Sequence, residues 1–384
     1  MNKNKIYFDY AATAPVDPRV KKAMEPFFVK KFGNTMSLHN FGQEAKLVLE
    51  QSREKIADLI SAKPNEIIFT GSATESNNWA LKGVAGSNFH RINIVISRIE
   101  HPCIMEAAGW LEKQGVKIIR VPVDKYGLVN PLDVKNSINK ETILVSIIHG
   151  SNEIGTIQPI KEIGDICKNS GVYFHTDAAQ SFGKIPIDVS RMNIDLLTAS
   201  SHKIYGPKGA ACLYIREGIE IEPLLHGGGQ EMGLRSSTVN VAAIVGFAKA
   251  AEIAKKEMKE EAQRLTKLRD KLIKNILKIK SAYLTGHPEK RLANNASFHF
   301  DFIEGESIIL QLDLLGIAVS TGSACSSLKL EPNPALLAIG LKPQQAHGSL
   351  RVSLGRWTTE KEIDYLSKVL PGIIKKLRKI SPYG

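Results

Sequence analysis

Between residues 60 and 216 short, almost wholly apolar runs recur, separated by longer stretches in which polar and apolar residues mix at helical spacing. The runs are Glu66-Ile67-Ile68-Phe69-Thr70, Ile92-Asn93-Ile94-Val95-Ile96-Ser97, Val116-Lys117-Ile118-Ile119-Arg120-Val121 and Thr142-Ile143-Leu144-Val145-Ser146-Ile147, then 172–176, 194–199 and 210–215. Near-continuous apolar strands between helices predict a mainly parallel sheet of seven strands covered on both faces, an α/β architecture. In such sheets ligands sit beyond the carboxyl ends of the strands. A long helix follows, because Met258, Ala262, Leu265, Leu268, Leu272, Ile276 and Ile279 recur every three or four residues with Lys and Glu between them. It bridges into a second unit with strands at 296–300, 318–320 and 350–354 and helices at 306–314 and 359–377. The predicted division is a large domain of residues 15–255 and a smaller α+β domain made of 1–14 and 256–384.

Composition narrows the classes. A chain of 384 residues, 43% hydrophobic and 23% charged, suits an ordinary globular protein of that size. The N-terminus has no apolar leader, and Val239 to Ala248 is too short to span a bilayer and runs into Lys249. No membrane segment is therefore expected, and a cytoplasmic location is the default. The net charge of +12 is spread among acids, as in Lys255-Lys256-Glu257-Met258-Lys259-Glu260-Glu261, which argues against direct nucleic-acid binding. The four cysteines, at 103, 167, 212 and 325, form no Cys-x-x-Cys pair and no metal-ligand spacing, so neither a disulfide framework nor a metal site is expected.

Two strand ends carry polar groups that an apolar core does not need. Lys203 follows the run 195–199 and precedes a Gly/Pro turn; a lysine there is costly to bury as a cation, so its pKa tends to fall and its amine becomes a usable nucleophile or base. Asp177 ends the run Val172-Tyr173-Phe174-His175-Thr176, and a carboxylate is the partner a protonated pyridine nitrogen needs. A Schiff-base lysine and a pyridinium aspartate are the minimum kit for pyridoxal 5′-phosphate. Ser200 and His202 lie just before Lys203. Gly71-Ser72-Ala73-Thr74-Glu75-Ser76 adds hydroxyls at a helix N-terminus, where free N–H groups suit a phosphate dianion as well as an ordinary helix cap.

In this order the segments resemble the class V, fold type I enzymes that use pyridoxal 5′-phosphate, specifically the cysteine desulfurases of the NifS/IscS-like branch. The resemblance covers nearly the whole chain. It is carried by Tyr7-Phe8-Asp9-Tyr10-Ala11-Ala12-Thr13-Ala14-Pro15, Ala73-Thr74-Glu75-Ser76-Asn77, Glu100-His101, Asn152-Glu153-Ile154-Gly155, and the Asp177 and Lys203 runs. His226-Gly227-Gly228-Gly229-Gln230-Glu231, Gly322-Ser323-Ala324-Cys325 and Leu350-Arg351-Val352-Ser353-Leu354-Gly355-Arg356 complete it. The resemblance implies that His101 stacks on the cofactor ring and shuttles protons, that Asn152 and Gln180 hydrogen-bond its phenolic oxygen, and that Ala73, Thr74, Ser200 and His202 hold its phosphate. Thr238 is implied to reach the neighbouring site of a homodimer. Arg351 is implied to grip the carboxylate of L-cysteine with its planar fork, assisted by Asn34.

Cys325 lies in a small, polar Gly/Ser loop, whereas Cys167 and Cys212 have apolar neighbours and read as inert core thiols. Cys103 is less settled because it is two residues from His101. A loop thiol can reach a bound substrate and swing outward, since about five residues of extended chain span ~16 Å. The implied activity is removal of sulfur from L-cysteine to give L-alanine and a persulfide on Cys325. That sulfur would pass to an acceptor such as an iron–sulfur scaffold or a tRNA-thiolation enzyme. The rivals are a selenocysteine lyase and another class V enzyme such as an aminotransferase; hydrolase chemistry is suggested only by Leu225-His226-Gly227-Gly228-Gly229, with no Gly-x-Ser-x-Gly beside it. Ser151, Ser201 and Thr35 depart from the residues common in the family. The end at Ser381-Pro382-Tyr383-Gly384 lacks the tail that some relatives use to dock a scaffold, which leaves the acceptor open.

Overall fold

The computed structural model describes residues 5–86, 92–321 and 332–381. Strand β1 (Ile6–Tyr7) leads into helices α1 (Pro18–Met24), α2 (Pro26–Val29) and α3 (Asn40–Leu59), then β2 (Ile67–Thr70) and α4 (Ala73–Ala85). Next come β3 (Asn93–Ser97), α5 (Pro102–Lys113), β4 (Lys117–Val121), α6 (Pro131–Ser137) and β5 (Thr142–Ser146). These are followed by α7 (Ile160–Ser170), β6 (Tyr173–Asp177), β7 (Leu196–Ser200) and β8 (Ala211–Ile215). Helix α8 (Val241–Ile276) then crosses to β9 (Ala282–Leu284), β10 (Asn295–Phe300), α9 (Gly305–Leu314) and β11 (Ile317–Ala318). The described chain closes with α10 (Pro334–Ala338), α11 (Pro343–His347), β12 (Ser349–Ser353) and α12 (Glu360–Ile380).

The large sheet has seven strands in the order β2-β8-β7-β6-β5-β3-β4, as the apolar runs predict. Only β8 runs against its neighbours. Side chains alternate across the sheet: Phe69, Val95, Val145, Phe174 and Leu197 enter one core, while Ile68, Ile94, Ile96, Leu144 and Leu196 enter the other. Burial on both faces is why these strands read as continuous rather than alternating. A second sheet, β12-β10-β9, is antiparallel, and β1 pairs with β11 beside it.

Helix α8 belongs to both cores. Its Ile244, Phe247, Ala250 and Ala251 pack under the large sheet, and its Leu265, Leu268, Leu272 and Ile276 pack against Phe298, Phe300, Leu350 and Val352. At 36 residues it is roughly 54 Å long at 1.5 Å per residue. A second connection is the strap at residues 8–14. Phe8 O accepts from the Ser353 N–H at 2.8 Å, the Ala11 N–H donates to Ser353 Oγ at 2.9 Å, and the Ala14 N–H donates to His202 O at 3.0 Å. The strap thus lies between β12 and the turn that follows β7. Among the described residues no helix is long and apolar enough to cross a membrane.

Candidate active site

Parallel strands deliver polar groups to one edge of the large sheet. Asp177 is the last residue of β6 and pairs with Thr198 of β7; Ser200 ends β7, and a tight turn of three residues then carries Ser201, His202 and Lys203. His101 caps α5 just beyond β3, its Nδ1 accepting the Cys103 N–H at 3.2 Å, while Pro102 begins the helix where no N–H is needed. Ser72 caps α4 beyond β2, accepting the Glu75 N–H at 3.1 Å, so Ala73 and Thr74 form the first turn of that helix.

Lys203 is half-buried and its Nζ donates to Ala11 O at 2.5 Å and Ala12 O at 2.7 Å. Gln180 Nε2 donates to the same Ala11 O at 2.8 Å, and His202 Nδ1 lies 3.1 Å from the Thr13 hydroxyl. The strap therefore gathers Lys203, Gln180 and His202. Burial pulls the His202 imidazole down to about 4, with Lys203 adding to the effect, so it is neutral at pH 7.

Asp177, 4% exposed, accepts from Asn77 Nδ2 at 2.7 Å through Oδ2 and from the Ala179 N–H at 2.9 Å through Oδ1. Asn77 also reaches Cys103 Sγ at 3.1 Å, which lies 3.0 Å from His101 Nδ1. Burial and then Asp177 push the Cys103 thiol up to about 12, against hydrogen bonds from Asn77 and Thr74. It is a thiol, not a thiolate, at neutral pH. Cys167 and Cys212 are buried and are likewise held at about 12, chiefly by desolvation, which matches the inert reading of those two. Burial also lowers His101; Asp177 opposes this, while Lys203 and Arg351 add to it, so these four groups share one electrostatic neighbourhood.

Arg351, 4% exposed on β12, faces this edge. Its Nη1 donates to Asn152 O at 3.2 Å and Glu153 Oε2 at 3.1 Å, and its Nη2 donates to Asp9 Oδ1 at 3.2 Å. Asn152 is buried beside it, in the turn after β5 that Ser151 Oγ caps by accepting the Glu153 and Ile154 N–H groups.

Two expected residues stand apart. Asn34 is exposed between α2 and α3, and its Oδ1 accepts the Met36 N–H at 3.0 Å. Thr238 is exposed just before α8. Cys325 lies outside the described residues. The described chain on either side of it is anchored at the site: Ser320 exchanges backbone hydrogen bonds with Arg351, and beyond the gap Ala335 packs on Ile99 and Ile148, while Leu336 packs with Ile154.

Asn77, Asp9, Glu153 and the Ala11 and Ala12 carbonyls are given no role by the sequence alone. The i, i+3 spacing of Thr74 and Asn77 on one helix face is the signal that could have exposed Asn77. An amine, a buried carboxylate, an imidazole, two carboxamides and a helix N-terminus with hydroxyls form a donor set suited to an aldehyde-bearing pyridine with a phosphate arm. Among the described residues no group of His, Cys, Asp and Glu could hold a metal ion.

The sequence profile of the Aminotransferase class-V family matches residues 6–366. The chain is 52% identical over 377 residues to cysteine desulfurase IscS 1 of Archaeoglobus fulgidus, covering 98% of each chain. It is 51% identical to cysteine desulfurase IscS of Dictyoglomus turgidum, covering 99% of this chain and 97% of that one. Among solved structures, a NifS-like protein superposes with a TM-score of 0.91 at 40% identity, over 97% of this chain and all of that one. SspA, solved in complex with cysteine, gives 0.82 at 35% identity, over 92% of this chain and all of that one. A likeness this even from end to end means that the chain belongs to the class V aminotransferase family, on its NifS/IscS-like cysteine desulfurase branch.

Proposed function

We propose that the protein is a pyridoxal-phosphate-dependent cysteine desulfurase that takes sulfur from L-cysteine onto Cys325 and releases L-alanine. The convergence of Lys203, Asp177, His101 and Arg351 at one sheet edge carries this reading, and the desulfurase relatives and the cysteine complex of SspA support it. When bound, the cofactor supplies a ring that takes up the electron pair left when the substrate's α-proton departs. Lys203 Nζ would hold the cofactor and, once free, would take the α-proton from the substrate. Asp177 holds the ring nitrogen in its protonated form, with Asn77 and the Ala179 N–H fixing the carboxylate. Ala73 and Thr74, at the start of α4, hold the phosphate together with Ser200 and His202. Asn152 and Gln180 bind the phenolic oxygen. His101, whose Nδ1 already accepts the Cys103 N–H, would move protons at Nε2.

Arg351 receives the substrate carboxylate, with Asn34 assisting. The Cys325 thiolate attacks the substrate sulfur: a sulfur–sulfur bond forms as the carbon–sulfur bond breaks, and protonation of the carbon completes alanine. Support for Cys325 comes from the flanking chain, which is anchored on Arg351, Ile99 and Ile154. The protein acts as a homodimer in which Thr238 enters the neighbouring phosphate site. Phe28, Val29, Phe32, Met36, Leu38 and Phe41, all at least 54% exposed, form an apolar run of the kind a partner covers. The persulfide sulfur goes to an acceptor protein for iron–sulfur assembly or tRNA thiolation, in the cytoplasm, where thiols stay reduced.

The test is incubation of the holoenzyme with L-cysteine. Alanine rather than pyruvate should form, and intact mass should place one added sulfur atom on Cys325. Cys325→Ser should keep the cofactor's visible band and lose sulfide release, whereas Lys203→Ala should lose the band. Sulfide release by Cys325→Ser at the wild-type rate would overturn the assignment.

A further inference from the structure

Glu153 stands between two side chains to which the proposed reaction gives different tasks. Its Oε2 accepts from Arg351 Nη1 at 3.1 Å and its Oε1 accepts from Asn152 Nδ2. Arg351 Nη1 also donates to Asn152 O at 3.2 Å, so the three residues close a ring of hydrogen bonds. Glu153 is only 9% exposed, and its backbone is fixed: its N–H donates to Ser151 Oγ at 3.3 Å and its carbonyl accepts from Asn295 Nδ2 at 3.5 Å. Just beyond, Gly155 has φ 77°, and a Cβ there would come within 2.6 Å of Asn295 Oδ1, so this turn requires glycine at that position.

The Arg351 guanidinium is shared between two carboxylates, Glu153 and Asp9. Of the two, Glu153 is the one that also holds Asn152. The charged groups around Glu153 are Arg351, Asp9 and Lys203; burial foremost, and then Asp9, push its carboxyl up, while Arg351 and Lys203 pull it down. An amide nitrogen carries two hydrogens, and committing one to Glu153 leaves the other, in a fixed direction, for a ligand oxygen.

We propose that Glu153 is a positioning residue that couples the substrate-carboxylate site to the cofactor site, holding the Arg351 fork and the Asn152 amide in register through one carboxylate. This rests on the roles proposed above for Arg351 and Asn152. A substrate carboxylate arriving on Arg351 shares the guanidinium with Glu153 and Asp9. The hold of Glu153 on Arg351 then loosens, and Asn152 feels the change through Oε1.

Two readouts on purified holoenzyme test this: the pH midpoint of the cofactor's visible band, and the kcat/KM ratio of L-cysteine to cysteamine, which has the same thiol and amine but no carboxylate. Glu153→Gln keeps the shape and removes a negative charge near Lys203, so the midpoint should fall by about one pH unit. The preference for L-cysteine should fall about tenfold, through KM rather than kcat, because the fork is no longer held for a carboxylate. Glu153→Asp keeps the charge but not the reach, so it should recover the midpoint and not the preference. Wild-type values of both quantities in Glu153→Gln would overturn the coupling while leaving the function intact. A wild type that prefers cysteamine as much as L-cysteine would instead overturn the role of Arg351, and the coupling with it.

Discussion

Asn77 shows how much rests on single buried side chains at this site. It is fully buried, and its amide nitrogen is shared between Asp177 and Cys103. Asn77→Leu should leave Asp177 Oδ2 short of a donor and weaken cofactor binding about tenfold, measured by absorbance titration of the apoprotein. Glu100 gives a pH prediction. Burial pushes its carboxyl up to about 8 although Ser97 and the Ile148 N–H donate to Oε1. The unfolded chain releases that proton near the ordinary carboxylate value, so between there and pH 8 the folded state binds more protons and stability falls as pH rises. Glu100→Gln should flatten that fall, by on the order of 4 kcal/mol at pH 8, in urea unfolding run from pH 5 to 8. Lys203 and Asp177 were legible because each brings a charge to the end of an apolar run, whereas His101, a helix cap four residues beyond β3, was legible only through the family resemblance. Asn77 and Glu153 were not, because their partners lie 100 and 198 positions away and no local pattern encodes that.

The strands of the large sheet begin and end within two residues of the predicted runs, since burial on both faces leaves an unbroken apolar signature. Helix α8 is the instructive exception. The sequence pattern suggests a helix only from about Met258, yet it starts at Val241, because its first turns are buried on nearly every side and have no polar stripe to set a period. Helix α3 is missed for the opposite reason: Phe41 and Leu47 are exposed and blur its apolar face. The second half of α8 anchors the smaller core. Leu272→Ala, at a fully buried position, should therefore cost about 3 kcal/mol in denaturant unfolding.

For the whole molecule, the α/β class and the parallel sheet follow from periodicity, but the strand order does not, because neighbour choice depends on contacts that no window of sequence contains. The apolar run from Phe28 to Phe41 belongs to this scale as well. Replacing Phe28 and Leu38 together by Glu should convert the proposed homodimer to a monomer in sedimentation and depress turnover, by removing the contribution proposed for Thr238 at the neighbouring phosphate site. The strap at residues 8–14 has a consequence for synthesis. It closes over Lys203 and is held from two sides, by Gln180 and His202 of the large domain and by Ser353, 342 positions after Ala11. A nascent chain can assemble the large sheet while still tethered to the ribosome, yet the strap over Lys203 lacks its Ser353 anchor until that residue has cleared the exit tunnel. The strap's second anchor is thus made well after the strands of the large sheet have emerged, and a translation arrest before Ser353 leaves Lys203 beneath a strap held from one side only.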